Sequence, residues 1–270
     1  MTGPSGAGRV ATTGWRGLAR SPDLWAILLI VAVATAIRIA FAASAPPFID
    51  PDGEGYYLPA HDLVAGLPFQ PDLRRTPVYP FFIAAVIRLF GEDLQTLVTV
   101  QHFVVGPPSA ALTFVLGRLL TGRLVALVAG LLIAVSGPFL LYEHYLLTDG
   151  PFTVLLLLTL VVVLWAARRA SLGWAALGGL LFGVTILCRP AGQVLAPVLA
   201  ILLMIEGGPL RRRLAAMALC GALAVLVVLP WMASNYARHG VFAVAGSGRY
   251  LLARVVKNDP GGYSFAPPPG

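Results

Sequence analysis

The sequence predicts an all-α polytopic membrane protein, with about seven transmembrane helices and interfacial helices in a large first external loop. Three observations predict it. The mean hydropathy is +0.82, with 58% hydrophobic and only 11% charged residues, too little polar surface to coat a soluble globule. Apolar runs close to the roughly 20 residues of a bilayer crossing recur along the chain. The connections between them alternate in charge, as the positive-inside rule expects.

Residues 1–22 carry Arg9, Arg16 and Arg20 and read as a cytoplasmic N-terminal segment; residues 23–240 form the membrane domain. The first span is 24–43. Arg16 and Arg20 before it and Ala43-Ser44-Ala45 after it imitate a signal peptide. The run exceeds the usual signal core of about 7–15 residues, so an uncleaved first helix is expected.

The large external loop, 44–96, comes next. Within it 56–65 reads as an amphipathic helix stopped by Gly66-Leu67-Pro68. A second short helix, 77–90, opens on a proline, a favoured first helical residue. It is short for a crossing and carries Arg88, so it is expected to lie at the interface. The remaining spans are 97–120, 124–141, 151–167, 172–187, 194–205 and 214–232. Residues 241–270 form an external tail ending in Pro267-Pro268-Pro269, and a chain that stops there reads as a fragment or a short member of its kind.

The arginines test this layout. With 77–90 not crossing, Arg9, Arg16, Arg20, Arg118, Arg123, Arg168, Arg169, Arg211, Arg212 and Arg213 share one side, the cytoplasm. Asp50, Asp52, Glu54, Asp62, Asp72, Glu92, Asp93, Glu143, Asp149 and Asp259 fall on the other. The net charge of +7 thus reads as topology. No basic run interleaved with aromatics points to nucleic acid as a partner. Cys188 and Cys220 lie in apolar stretches without metal-ligand spacing and read as small core residues.

Four external positions carry candidate chemistry. The first is Ile49-Asp50-Pro51-Asp52-Gly53-Glu54-Gly55-Tyr56-Tyr57, three carboxylates on alternate residues. A solvated loop explains one such residue; three, flanked by proline, glycines and a tyrosine pair, favour binding or chemistry. The second is Arg74-Arg75-Thr76-Pro77-Val78-Tyr79-Pro80, whose arginines either snorkel to head groups or meet an anion. Asp149, the third, suits helix capping ahead of Pro151, which does not exclude function. Arg189, the fourth, follows an apolar run on the external side, against the charge bias, and is expected to meet Asp149 or a lipid phosphate. Arg238, in the aromatic belt ending the last span, is a weaker candidate. His61, His102, His144 and His239 form no close metal pair in sequence, while Asp50, Asp52 and Glu54 supply oxygens that suit a divalent cation.

Asp52 with Tyr56, then Arg75-Thr76-Pro77, Leu147-Thr148-Asp149, Arg189-Pro190 and Pro230-Trp231 resemble, in order and sidedness, the GT-C glycosyltransferases. The order is similar to bacterial members of the group that includes protein O-mannosyltransferases and the aminoarabinose transferase acting on lipid A. The resemblance spans residues 24–240. It implies a polyprenyl-phosphate sugar donor, transfer with inversion outside the cytoplasmic membrane, Asp52 as the catalytic aspartate, and Asp149 as the second acidic position. Many relatives carry a basic residue just before the short helix's proline, where this chain has Thr76, with Arg75 one place earlier. Relatives also usually carry further spans and a soluble C-terminal domain.

The chemistry fits the residues on its own terms. Displacement at an anomeric carbon needs a base for the acceptor's proton, a task for a carboxylate such as Asp52. A lipid phosphate leaves readily and needs positive charge where negative charge develops, which Arg75, Arg189 or a metal ion can provide. The expected substrate-binding set is Asp50, Glu54, Tyr56, Arg75, Tyr79 and Arg189. Lipid, protein and polysaccharide acceptors are all compatible with it. Two rival readings are a transporter, which would place charges at mid-membrane where the sequence offers only Arg38, and a non-catalytic membrane fragment or assembly partner.

Overall fold

A computed structural model describes residues 21–49, 51–205 and 208–246. Asp50, Asp259, the three arginines of the N-terminal segment and most of the expected tail lie outside the described residues. Among the described residues there are ten α-helices and no strand. They are α1 (Pro22–Ser44), α2 (Pro51–Val64), α3 (Val78–Phe90), α4 (Leu94–Leu120), α5 (Arg123–Val135), α6 (Gly137–His144), α7 (Asp149–Arg169), α8 (Leu172–Cys188), α9 (Ala196–Ile205) and α10 (Leu210–His239), with a 3-10 helix at Pro190–Leu195 before α9.

The helix limits follow local chemistry. Ser21 caps α1, its hydroxyl accepting from the Leu24 amide at 3.2 Å, and Pro22 fills the first helical position. Asp93 caps α4 at 2.8 Å from the Thr96 amide. Gly240 ends α10 in the left-handed region, with φ of 68°.

Four helices, α1, α4, α7 and α10, are long and apolar enough to cross a membrane. The expected span 124–141 is instead the pair α5 and α6, bent by 48° at Ser136, which counts as a fifth if it is one span. Expected spans 172–187 and 194–205 correspond to α8 and to Pro190–Ile205, both shorter than the other crossings. The acidic loop also differs from expectation. Helix α2 starts at Pro51, so Asp52 and Glu54 stand in its first turn, where the helix dipole favours negative charge.

Packing makes three apolar cores. One joins α7, α8, α9 and α10, one joins α1, α4 and α5, and the third seats α2 and α3 on the start of α4 and on Leu146. Small residues bring α8 and α10 close: Gly179 and Gly183 face Cys220 and Ala224. Outward faces stay apolar, with Leu28, Leu132, Ile201 and Leu226 exposed. A soluble protein would cover such surface; hydrocarbon covers it at no cost.

The bundle's two ends differ. Where α1 begins and α4 ends, Asp23 pairs with Arg118 at 3.1 Å and Arg123 at 2.7 Å. The opposite end gathers the close of α1, helices α2 and α3, the start of α7 and the close of α8. Residues 241–246 fold back over the end of α10 there: Trp231 donates to the Val244 carbonyl at 2.9 Å, and the Gly246 amide reaches the Leu73 carbonyl at 3.0 Å.

Candidate active site

At this second end a cleft of about 490 Å³ is lined by Asp52, Tyr56, Arg74, Arg75, Asp149 and Arg189, with Leu147, Thr148, Pro190 and Ala191 completing its wall. Residues separated by more than a hundred positions meet here, and each has an identifiable support.

Asp52 projects from the first turn of α2 and accepts from Arg75 Nη2 at 2.8 Å. The guanidinium of Arg75 also lies over the Tyr56 ring, 4.3 Å from its centroid. To reach Asp52 it passes over Gly55, where a Cβ would stand 2.9 Å from Arg75 Nε. That is why glycine occupies this position. Burial works against the charge on Arg75, but Tyr56 and Asp52 outweigh it and hold the group above the usual arginine value. Beside it Arg74 forks onto Asp72, Nη2 to Oδ2 at 3.0 Å, and holds that carboxyl below its usual range.

Thr76 supplies the link to the other wall. Its hydroxyl is buried and donates to the Cys188 carbonyl at 2.9 Å. The segment carrying Arg75 is thereby pinned to the residue before Arg189, and threonine at this place is a structural tie.

Across the cleft Arg189 Nη1 donates to Asp149 Oδ1, one of the two partners expected from sequence. Asp149 is the first residue of α7, and Thr148 is its N-cap. The aspartate side chain therefore turns to Arg189 and does not cap the helix. Gly53 lets α2 approach the segment that leads into α7: a Cβ there would meet the Leu146 carbonyl at 3.0 Å.

The remaining candidates lie elsewhere. Glu54 is exposed and is not among the residues lining the cleft. Tyr79 is fully buried, its hydroxyl donating to Gln101 Oε1 at 2.6 Å and its acidity suppressed chiefly by burial. It supports the cleft from behind. Arg238 packs on Trp231, its guanidinium 5.0 Å from the ring centroid. Among the described residues, which do not include Asp50, no cluster of three His, Cys, Asp or Glu side chains could hold a metal ion.

Sequence reasoning missed a buried polar chain behind the cleft. Arg38 and Glu143 are both fully buried; Arg38 Nη2 and Nε donate to the carboxylate at 2.8 Å and 2.9 Å. The Nη1 group donates to the Ala134 carbonyl at 2.5 Å. His102 and His144, also buried, continue the chain. The sequence grouped Glu143 with the external acidic residues and left Arg38 as the one charge within a span, and the structure buries both together. Pairing explains both departures, because an unpaired charge would not be tolerated there. The available signal was the arginine inside the first apolar span together with Glu143-His144 at the end of another. Gln101 extends the support, donating through Nε2 to the carbonyls of Glu143 at 2.7 Å and Tyr145 at 2.9 Å.

Beside the cleft an apolar groove of about 770 Å³ runs between α8 and α10, lined by Phe182, Ile186, Val228, Met232 and Val244 among others. The 3-10 helix serves both spaces, with Pro190 and Ala191 in the cleft and Gln193 in the groove.

A family model described as dolichyl-phosphate-mannose-protein mannosyltransferase matches residues 74–233, more than half of the chain. The match takes in Arg75, Asp149 and Arg189 and begins after Asp52. No curated protein matches the chain.

Proposed function

Because the chain belongs to the dolichyl-phosphate-mannose-protein mannosyltransferase family, and is thus a multi-pass membrane glycosyltransferase, we propose that it moves a sugar from a polyprenyl-phosphate donor to an acceptor hydroxyl with inversion, using Asp52 as base. The observation that carries this reading is the cleft itself, where two carboxylates each lie beside an arginine. The donor's phosphate enters between Arg75 and Arg189 and competes with the aspartates for them. Arg75 shifts from Asp52 to the phosphate, leaving the carboxylate to receive a proton.

The acceptor oxygen then attacks the anomeric carbon from the face opposite the phosphate while its proton passes to Asp52. The bond from the anomeric carbon to the phosphate oxygen breaks, its electron pair stays with the phosphate, and the arginines meet the developing charge. Asp149 orients Arg189 and contacts the sugar. A lipid-borne donor suits the apolar groove, which can receive the first isoprene units while the sugar reaches the polar cleft.

The charge pattern supports an orientation with the cleft outside the cytoplasmic membrane and the N-terminus inside, since Arg118, Arg123, Arg168, Arg169 and Arg211 to Arg213 belong to the other end. The test is sugar transfer by the purified full-length chain from a panel of polyprenyl-phosphate sugars, with and without a chelator. Consumption of one donor supports the reading, and loss of that activity with chelator would add a metal ion to it. Failure to consume any donor while the protein remains folded favours a non-catalytic assembly partner.

A further inference from the structure

We infer that His102 and His144 share a single proton, and that this linked pair holds together the two segments presenting Asp52 and Asp149; the positioning role rests on the reading of the cleft as the transfer site. The partners assign the hydrogens. Glu143, bound by Arg38 through both oxygens, is a carboxylate and only accepts, so His102 Nδ1, 3.2 Å from Oε2, carries a hydrogen. The Pro46 carbonyl also only accepts, so His144 Nε2, 2.7 Å away, carries one too. Two neutral rings would then present bare lone pairs at the remaining contact, His102 Nε2 to His144 Nδ1 at 3.3 Å. One added proton turns that clash into a hydrogen bond. A second would place two cations face to face.

The groups facing the pair are Glu143 from α6, itself held by Arg38 of α1, the ring of Phe41 from α1 and the ring of Tyr145 beside His144. The carboxylate lies one ring from the added charge. The buried polar network ends at the Pro46 carbonyl, in the segment leading into α2, while Glu143 and His144 lead through Tyr145 into Asp149. Phe48 and Tyr145 already pair as an isolated bridge between these two segments.

Two readouts independent of sugar transfer test this on the full chain in lipid nanodiscs. With His61→Gln and His239→Gln, nitrogen-15-labelled histidine reports only the pair; one proton correlated with a nitrogen of each ring is expected. Inner nitrogens that are both bare in the folded protein would overturn it. In a chain with Cys188→Ala and Cys220→Ala, Phe48→Cys with Tyr145→Cys is expected to cross-link readily, and about tenfold more slowly once His144→Phe or His102→Gln breaks the link. Unchanged cross-linking in both variants would overturn the positioning role. Absence of sugar transfer would count against the proposed function and leave both readouts decisive.

Discussion

Gly106 makes room for Arg38: a Cβ at this glycine would stand 1.9 Å from the guanidinium Nε. The arginine can cross from α1 to Glu143 only because α4 has no side chain at that point. A buried ion pair inside a membrane bundle thus depends on one hydrogen atom in place of a methyl group.

Gly106→Ala is therefore expected to displace Arg38 and leave Glu143 unpaired, at a cost of about 3–5 kcal/mol. Unfolding of the reconstituted protein by detergent titration measures it. Arg38→Met with Glu143→Leu removes both charges and should restore most of the loss. Equal damage from the double variant would mean the pair has a role beyond mutual neutralisation.

Thr76→Val removes the hydrogen bond to the Cys188 carbonyl, at a stability cost of about 1 kcal/mol. The larger expected effect is on donor binding, because Arg75 loses its tie to the Arg189 wall. Donor KM should rise several-fold with little change in kcat, read from initial rates across donor concentrations.

Arg189→Gln separates stability from function. The Arg189 and Asp149 side chains are 39% and 37% exposed, and such a pair contributes no more than about 1 kcal/mol to folding. Transfer should nonetheless fall by roughly a hundredfold, since a charge that meets the leaving phosphate acts in the transition state. Parallel unfolding and rate measurements check both halves.

Tyr57 gives a pH prediction. Burial, reinforced by its hydrogen bond to Glu92 at 2.7 Å, pushes its phenol up to about 12. The folded state keeps this proton where the unfolded chain, near pH 10, releases it. Its contribution to stability is present below about pH 10 and is lost as pH rises toward 12. Tyr57→Phe should remove that limb of the stability profile.

Much of this arrangement was legible in the residues. An arginine placed against the charge bias pointed to a carboxylate or a phosphate as the partner of Arg189, with Asp149 one of the two, and Asp52 and Arg75 were drawn to one site by their charges and order. Helix α2 began earlier than expected because Pro51 and the acidic first turn favour helix initiation, ahead of the amphipathic stretch that starts at Tyr56. Gly53 and Gly55 serve close approach to Leu146 and Arg75, which only the three-dimensional packing reveals. Tyr79 and Glu143 escaped for a common reason: polar residues beside the loop read as external when their buried partners, Gln101 and Arg38, are far away in sequence.

The most direct test of Asp52 as the base is sugar transfer by Asp52→Asn, compared with the unaltered chain at matched membrane insertion and saturating donor. The amide preserves shape but cannot take the acceptor's proton, so the rate should fall by about a hundredfold to ten-thousandfold while donor still binds. Transfer at the unaltered rate by Asp52→Asn would contradict the assignment and move the base to another residue.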